Sequence, residues 1–347
     1  MSFKAENRAY ERWLRTQCDV VDRDLDRKHD RMKKSPFIFL RATFFRWARR
    51  IEAVCPDLAG APAVLSVGDV HVENFGTWRD AEGRLVWGIN DFDEAADIPY
   101  PFDLVRLATS AFLVPNSPLP QRDVADAILA GYREGLADPR PTLLAEQTTP
   151  LRKLIADLHD DPTEFWRKVE DYHRAVPPDS VADELRRSLP QGATLRRFST
   201  HAKGGGSLGR PRYFALAEWR GGRVLREAKA LVPSAWEWAH DDVTGFSRFL
   251  DLARGTFRSP DPFLDVRHKF IVRRIAADSD KLEFGKDPSV SQDLLTAMGF
   301  DLGAIHAADR RCDKVRQDLR QRAGDWLHDA STAAMRTVRE DFAKWSS

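Results

Sequence analysis

Two short stretches early in the chain concentrate oxygen-bearing side chains. One is Gly68-Asp69-Val70-His71-Val72-Glu73-Asn74, the other Asn90-Asp91-Phe92-Asp93-Glu94. Hard cations take oxygen ligands, and Mg²⁺ is usually held by one or two carboxylates together with the phosphates of a substrate. Asn74 and Asp91, with Asp93 beside it, are therefore metal-ligand candidates, and which of the two aspartates dominates stays open. A carboxylate not spent on the metal can orient or deprotonate a hydroxyl, which is the role open to Asp69. His71, between them, could bind metal, contact a phosphate or order the loop.

Stepping outward, each cluster ends an apolar run, Val64–Val67 and Leu85–Ile89, and an Asp/Gly turn signal, Asp80–Gly83, lies between the runs. The simplest arrangement is two short strands joined by a hairpin, which brings both clusters to one end. A second informative stretch follows much later. Gly204, Gly205, Gly206, Ser207 and Gly209 form a glycine-rich turn, followed by an expected strand Arg212–Trp219, a Gly221-Gly222 turn, and a strand Val224–Leu231 that contains Lys229. Such a turn can lay backbone N–H groups over phosphates, because glycine lets the backbone approach closely. An ordinary hairpin is the alternative reading.

The pattern GDVHVENFG resembles the catalytic loop of aminoglycoside phosphotransferases and related small-molecule kinases. NDFDEA followed by FDLVRLA resembles their metal-binding segment. The chain as a whole is similar to an uncharacterised bacterial family of the protein-kinase-like superfamily that carries GDxHxENFG and NDFDE. The resemblance implies Asp69 as catalytic base, Asn74 and Asp91 as metal ligands, and Asp103 as an acid bracing the loop; the histidine usual two positions before the base is replaced by Val67. It also implies a kinase glycine loop at 204–209, with Lys229 as the lysine of its third strand reaching the α- and β-phosphates. Kinases pair that lysine with a helix glutamate, and Glu237 is the first choice here, with Asp241 and Asp242 as alternatives. The cofactors implied are ATP and Mg²⁺, and the acceptor is a small molecule.

In standard kinases the glycine loop precedes the catalytic loop, whereas here it follows. The expected fold is thus α+β, protein-kinase-like and two-lobed, but circularly permuted. Residues 1–190 would form the catalytic part with N-terminal helices, 191–286 a β-rich nucleotide-binding part, and 287–347 the helices that complete the catalytic lobe. Leu294–Arg310 resembles the helix that normally runs into the catalytic loop. Permutation is tolerated where chain termini are close and superficial.

The remaining elements follow from periodicity. Apolar residues at helical spacing predict an amphipathic helix over 5–34, whose basic end at Lys33-Lys34 either touches a phosphate or is solvated. A second helix is expected over 37–54, with Phe37, Phe39, Phe44, Phe45 and Trp47 as core. A buried helix is expected over Phe102–Val114, further helices over 121–137 and 142–174, and a docking helix over 312–345. Phe270–Ile275 reads as a buried strand leading to a polar turn at Asp278–Lys281, with Arg273 and Arg274 either binding phosphate or, the favoured reading, paired to acids. His201 and His306 read as structural.

Composition narrows the classes. At 347 residues with 42% apolar and 31% charged side chains, the chain fits a soluble globular protein. A net charge of +1 gives no bulk attraction to nucleic acid or anionic membrane. Cys18, Cys55 and Cys312 are far apart, which fits a reducing compartment. No apolar run approaches the roughly 20 residues of a membrane helix, so the expected location is cytoplasmic, with no membrane or nucleic-acid partner. The oligomeric state is not legible. Two other functions compete: a metal-dependent phosphoesterase built on GDVH and NDFDE, and a kinase-like fold that only binds nucleotide or transfers the nucleotidyl group. The phosphoesterase reading lacks any Gly-Asn-His string.

Overall fold

The computed structural model describes residues 2–144, 146, 151, 161–202, 205–277 and 290–346. The chain opens on helix α1 (Phe3–Gln17), with Ser2 as its N-cap, and helix α2 (Asp22–Met32). One continuous helix was expected here. The break at residues 18–21 has a tertiary cause: the Val21 N–H donates to the Gly209 carbonyl at 2.9 Å instead of to a carbonyl of its own helix. Helix α3 (Pro36–Ala42) and helix α4 (Phe44–Val54) likewise replace a single expected helix. Ser35 accepts from the Ile38 N–H and proline occupies the first turn, a strong start signal. Thr43, at φ −130° and ψ 40°, separates the two helices. A short α5 (Pro56–Ala59) follows.

Strand β1 (Ala63–Ser66) comes next, then a 3₁₀ turn over Val72–Asn74, strand β2 (Phe75–Arg79), strand β3 (Leu85–Ile89) and strand β4 (Ala96–Pro99). The expected hairpin exists, but its partners differ. The Asp80–Gly83 turn joins β2 to β3, and β1 pairs instead with β4. Strand β2 was hidden because it starts at once after the polar cluster and carries a glycine. Asp80 shapes the turn, accepting from the backbone N–H groups of Glu82 and Arg84.

Helix α6 (Pro101–Phe112) is buried on every side, and α7 (Gln121–Ala137) follows. Strand β5 (Thr142–Leu143) adds a third strand beside β3. The helix expected over 142–174 does not start there, since Thr142–Leu143 pairs with β3 as a strand; further on, the described residues contain α8 (Pro162–Glu170) and strand β6 (His173–Arg174), while 145, 147–150 and 152–160 lie outside the described residues.

Helix α9 (Asp179–Arg187) leads into a six-stranded antiparallel sheet. Besides β6, its strands are β7 (Thr194–Thr200), β8 (Arg212–Trp219), β9 (Gly222–Ala230), then, past the short helices α10 (Ala235–Ala239) and α11 (Phe249–Ala253), β10 (Asp265–Arg267) and β11 (Phe270–Ile275). The spatial order is β10-β11-β9-β8-β7-β6. The glycine-rich turn therefore connects two paired strands, β7 and β8, and Lys229 stands on the third, β9, opposite Arg212 and Ile271. Val181 and Leu185 of α9 pack on this sheet against Ala215, Ala228 and Val272. The expected polar turn at Asp278–Lys281 and the glycine at Gly204 lie outside the described residues.

The chain closes with α12 (Gln292–Ala307), α13 (Cys312–Gln321) and α14 (Trp326–Ser346), so the expected 312–345 helix is broken at residues 322–325. The large core joins these helices to the first four: Phe37, Phe39, Phe44, Phe45 and Trp47 are all buried in it, with Tyr10 stacked on Phe45 at 4.6 Å. The fold is thus mixed α and β, with a helical body and an antiparallel sheet that draws on both sides of residue 190. Among the described residues no helix is long and apolar enough to cross a membrane.

Helices α7 and α12 meet through glycines. A Cβ at Gly131 would lie 1.8 Å from the Thr296 carbonyl oxygen, and one at Gly299 would lie 2.1 Å from that of Ile128. Backbones this close leave no room for a methyl group, and overpacking a tight interface typically costs about 1–3 kcal/mol, occasionally more. Gly299→Ala is expected to lower stability by at least about 2 kcal/mol; urea unfolding checks it, and a midpoint unchanged from wild type would show that the seam is loose.

Candidate functional site

Asp69 follows β1 in a loop whose backbone is pinned from below. Asp103, in the first turn of α6, is 1% exposed. Its Oδ2 accepts from the Val67 N–H at 2.7 Å and its Oδ1 from the Gly68 N–H at 2.9 Å. His306, fully buried on α12, holds Asp103 Oδ2 at 3.2 Å through Nε2 and pairs with the Tyr132 hydroxyl at 2.9 Å through Nδ1. The loop therefore has its bracing acid, and a histidine from the far end of the chain fixes that acid. As an acid in the first turn of α6, Asp103 is also favoured by the helix dipole.

One turn further along α6, Arg106 rises to the loop from its other side. Its Nε donates to Asp69 Oδ1 at 2.9 Å, one of its terminal nitrogens joins the same oxygen, and that nitrogen also meets the Leu40 carbonyl at 3.0 Å. Burial pushes the Asp69 carboxyl up to about 6, against the pull of Arg106 and with the repulsion of Glu94 and Asp91. Asp69 Oδ2 faces Gly206, where a Cβ would stand 3.4 Å from it and 2.9 Å from the Arg41 carbonyl. The glycine turn thus approaches the carboxylate with bare backbone.

Asn74 ties the two acidic clusters together. Its Nδ2 donates to the Asp69 carbonyl at 3.2 Å and the Asp91 carbonyl at 3.0 Å, which fixes the amide's orientation. Its Oδ1 is buried, and among the described residues nothing donates to it. Asp93 Oδ1 is in the same state. Buried acceptors without a donor are uncommon, and each calls for an explanation; oxygens waiting for a cation are one that fits the Mg²⁺ chemistry of this donor set. Among the described residues no three His, Cys, Asp or Glu side chains are grouped to hold a metal by themselves. A carboxylate, a carboxamide and substrate phosphates do not need such a group.

Lys229 reaches these carboxylates across 138 positions of sequence. Its Nζ lies 3.0 Å from Asp91 Oδ1, 3.2 Å from Asp91 Oδ2 and 2.8 Å from Asp93 Oδ2. Its partners are these two aspartates and not Glu237, whose carboxylate holds the backbone N–H and hydroxyl of Thr244. The correction has a simple cause: α10 leaves the sheet after Leu231, and Glu237 on it points into its own following turn. Glu227, also on β9, takes Arg212 and Arg273, and Arg274 pairs with Asp261, so both arginines of β11 pair with acids.

Residues not singled out from sequence complete the wall. Arg210, just past the glycine turn, spans Asp93 at 3.2 Å and Glu94 at 2.8 Å. Glu94 in turn accepts from the Ala235 N–H at 2.6 Å, at the start of α10. Arg106 carried a legible signal, a basic residue in the largely apolar FDLVRLATSAF run, and Lys28 another, considered below. A single cavity of about 730 Å³ is lined by Asp69, His71, Asn74, Asp91, Asp93, Gly205, Gly206 and Ser207. Lys229 stands behind the two aspartates and is not part of that lining, and Gly209 packs against α2.

A family described as an uncharacterized protein conserved in bacteria (DUF2252) matches residues 20–142, which include both acidic clusters, Asp103 and Arg106. No curated protein and no solved structure matches the chain.

Asp103→Asn keeps the shape of the brace but turns an amide N–H₂ toward a backbone N–H or toward His306. A buried donor left unpaired costs about 1–3 kcal/mol, more for a partner that was charged. The expected loss is about 2–3 kcal/mol in urea unfolding; a loss below about 0.5 kcal/mol, the scale of a surface change, would show that the brace is not what holds the loop.

Proposed function

We propose that the protein is an ATP- and Mg²⁺-dependent phosphotransferase with a permuted kinase-like fold, acting on a hydroxyl or amine of a small-molecule acceptor. The observation that carries this reading is the meeting of Lys229 with Asp91 and Asp93, beside Asp69 and Asn74. Three separate segments supply those residues, and the glycine turn between paired strands closes over them. The strand order is also what the reading needs: β7, glycine turn, β8, then β9 bearing the lysine.

In this reading Asn74 and Asp91 hold the metal, and Asp93 supports them. When bound, Mg²⁺ neutralises phosphate charge as it shifts toward the leaving oxygen. Lys229 holds Asp91 and Asp93 close together despite their mutual repulsion. The backbone of Gly205, Gly206 and Ser207 covers the phosphates. Arg106 engages Asp69 Oδ1 and so presents Oδ2 to the acceptor. The acceptor oxygen forms a bond to the terminal phosphorus, the bond from that phosphorus to the bridging oxygen breaks, and ADP leaves with the electron pair. The acceptor's proton passes to Asp69 Oδ2. Catalysis is then mainly positioning and charge stabilisation.

Two variants test the division of labour. Asp91→Ala is expected to abolish Mg²⁺-dependent binding of a non-hydrolysable ATP analogue, measured by calorimetry. Asp69→Ala is expected to keep that binding and to lose transfer by about 10²–10⁴-fold, the range of a general base, measured as ADP release over a panel of small hydroxyl and amine acceptors. Asp69→Ala transferring at the wild-type rate would remove the base assignment. Release of pyrophosphate instead of ADP would identify nucleotidyl transfer.

A further inference from the structure

Helix α2 is rich in charge, DRDLDRKHDRM, yet one stripe of it is buried. Leu25, Lys28 and Met32 are its buried members, with the exposed N-cap Val21 one turn ahead of Leu25, and Lys28 occupies a place on that stripe where an apolar residue is the ordinary choice. Three of these residues meet the glycine turn. The Val21 N–H donates to the Gly209 carbonyl at 2.9 Å. Leu25 packs on Gly209, which has φ +96° and where a Cβ would lie 2.5 Å from Leu25 Cδ2. Lys28 Nζ donates to the Gly206 carbonyl at 3.2 Å. The turn is therefore held by a helix from the start of the chain as well as by its own strands.

Lys28 is 4% exposed and lines the cavity that contains Asp69. Among the described residues no carboxylate lies within ion-pair distance of its nitrogen; besides the Gly206 carbonyl it has the ring of Tyr10, 6.0 Å away. Four other cations at the site hold carboxylates. Arg106 holds Asp69, Arg210 holds Asp93 and Glu94, Lys229 holds Asp91 and Asp93, and Arg41 holds Glu73. Burial, with the repulsion of Arg210, pushes the Lys28 ammonium down to about 8, against the pull of Glu11, Glu94 and Asp69. A buried ammonium without a counter-ion is costly unless something anionic joins it.

We propose that Lys28 binds the terminal phosphoryl group of the nucleoside triphosphate, delivered to the cleft by α2 from outside both the sheet and the acidic loops. This rests on the phosphotransferase reading above. The placement is specific to that group. Gly206 separates Lys28 from Asp69 Oδ2 by one residue of backbone, and Asp69 is where the acceptor waits, so the ammonium stands beside the phosphorus that moves. Lys229 lies behind Asp91 and Asp93 and serves them. With nucleotide bound, Lys28 exchanges the Gly206 carbonyl for phosphate oxygens.

The test is binding of a non-hydrolysable ATP analogue and of ADP, each with Mg²⁺, to wild type, Lys28→Gln and Lys28→Arg, measured by calorimetry. Lys28→Gln is expected to weaken the triphosphate analogue by about tenfold or more and ADP by less than about threefold, because a hydrogen bond to a charged group is lost from the terminal phosphate alone. Lys28→Arg is expected to restore most of the preference. Equal weakening of both ligands overturns the proposal, as does weakening of neither, the result expected if Lys28 grips the acceptor instead. Wild type that binds neither nucleotide overturns the phosphotransferase reading itself, a different result from wild type that binds both while Lys28→Gln leaves their ratio unchanged. Should Lys28→Gln fail to fold by thermal unfolding, Lys28→Met, uncharged and close in volume, takes the same measurement.

Discussion

The ammonium of Lys229 between Asp91 and Asp93 is the contact on which the rest of the arrangement depends. Two carboxylates two residues apart in sequence repel when both are ionised, and burial makes the repulsion worse; the Asp93 carboxyl is pushed up by burial and by Asp91, against Lys229 and Arg210. One cation from the sheet and another from the glycine turn allow the pair to stay charged and close. Removing a partner from such a buried cluster leaves an uncompensated charge, which is far more damaging than never having the pair. The sheet and the helical body are therefore coupled electrostatically at the point where the cavity lies. Apolar packing does the rest, through the core that joins the first four helices to the last three.

The cavity-lining acids and amide were legible because their residue types are improbable in an apolar setting. Asp69, Asn74, Asp91 and Asp93 end short apolar runs, and the structure gathers them around one cavity with the glycine turn. Asp103 was legible for the same reason, a lone acid at the start of a buried helix. Strand β2 was not, since its five residues include glycine and follow directly on a polar cluster. The strand pairing was misassigned for a related reason: a turn signal says where a hairpin bends and says nothing of which upstream run enters it. Helix breaks at 18–21, 43 and 322–325 were invisible to periodicity. At the first of these the backbone hydrogen bond goes to Gly209, a partner nearly two hundred positions away that local propensity does not register.

Charge pairing was the least legible layer. Glu237 is near Lys229 in sequence and was the natural partner, yet the lysine finds its acids on an element far upstream. Arg106, Arg210 and Lys28 went unremarked because a single basic residue in a helix or after a turn is ordinary on a surface. Burial alone makes them unusual, and burial is a tertiary property. Lys28 did leave a trace, being the one charged member of an otherwise apolar stripe, and Arg106 left another inside α6.

The brace under the acidic loop has a consequence for the order of assembly. Asp103 is held by His306, the Ile89 N–H donates to Asp301 at 2.7 Å, and the Leu65 N–H donates to Asp309 at 3.0 Å. All three of these late residues lie on or just after α12, which also closes the glycine seam against α7. A ribosome emits β1, β3 and α6 long before it emits α12, and chains begin to fold from the leading end. Asp103 and Arg106 can reach the acidic loop early, but the histidine that fixes Asp103 lies 203 positions later, so a nascent chain stalled before residue 300 carries a loop whose bracing acid is itself unheld.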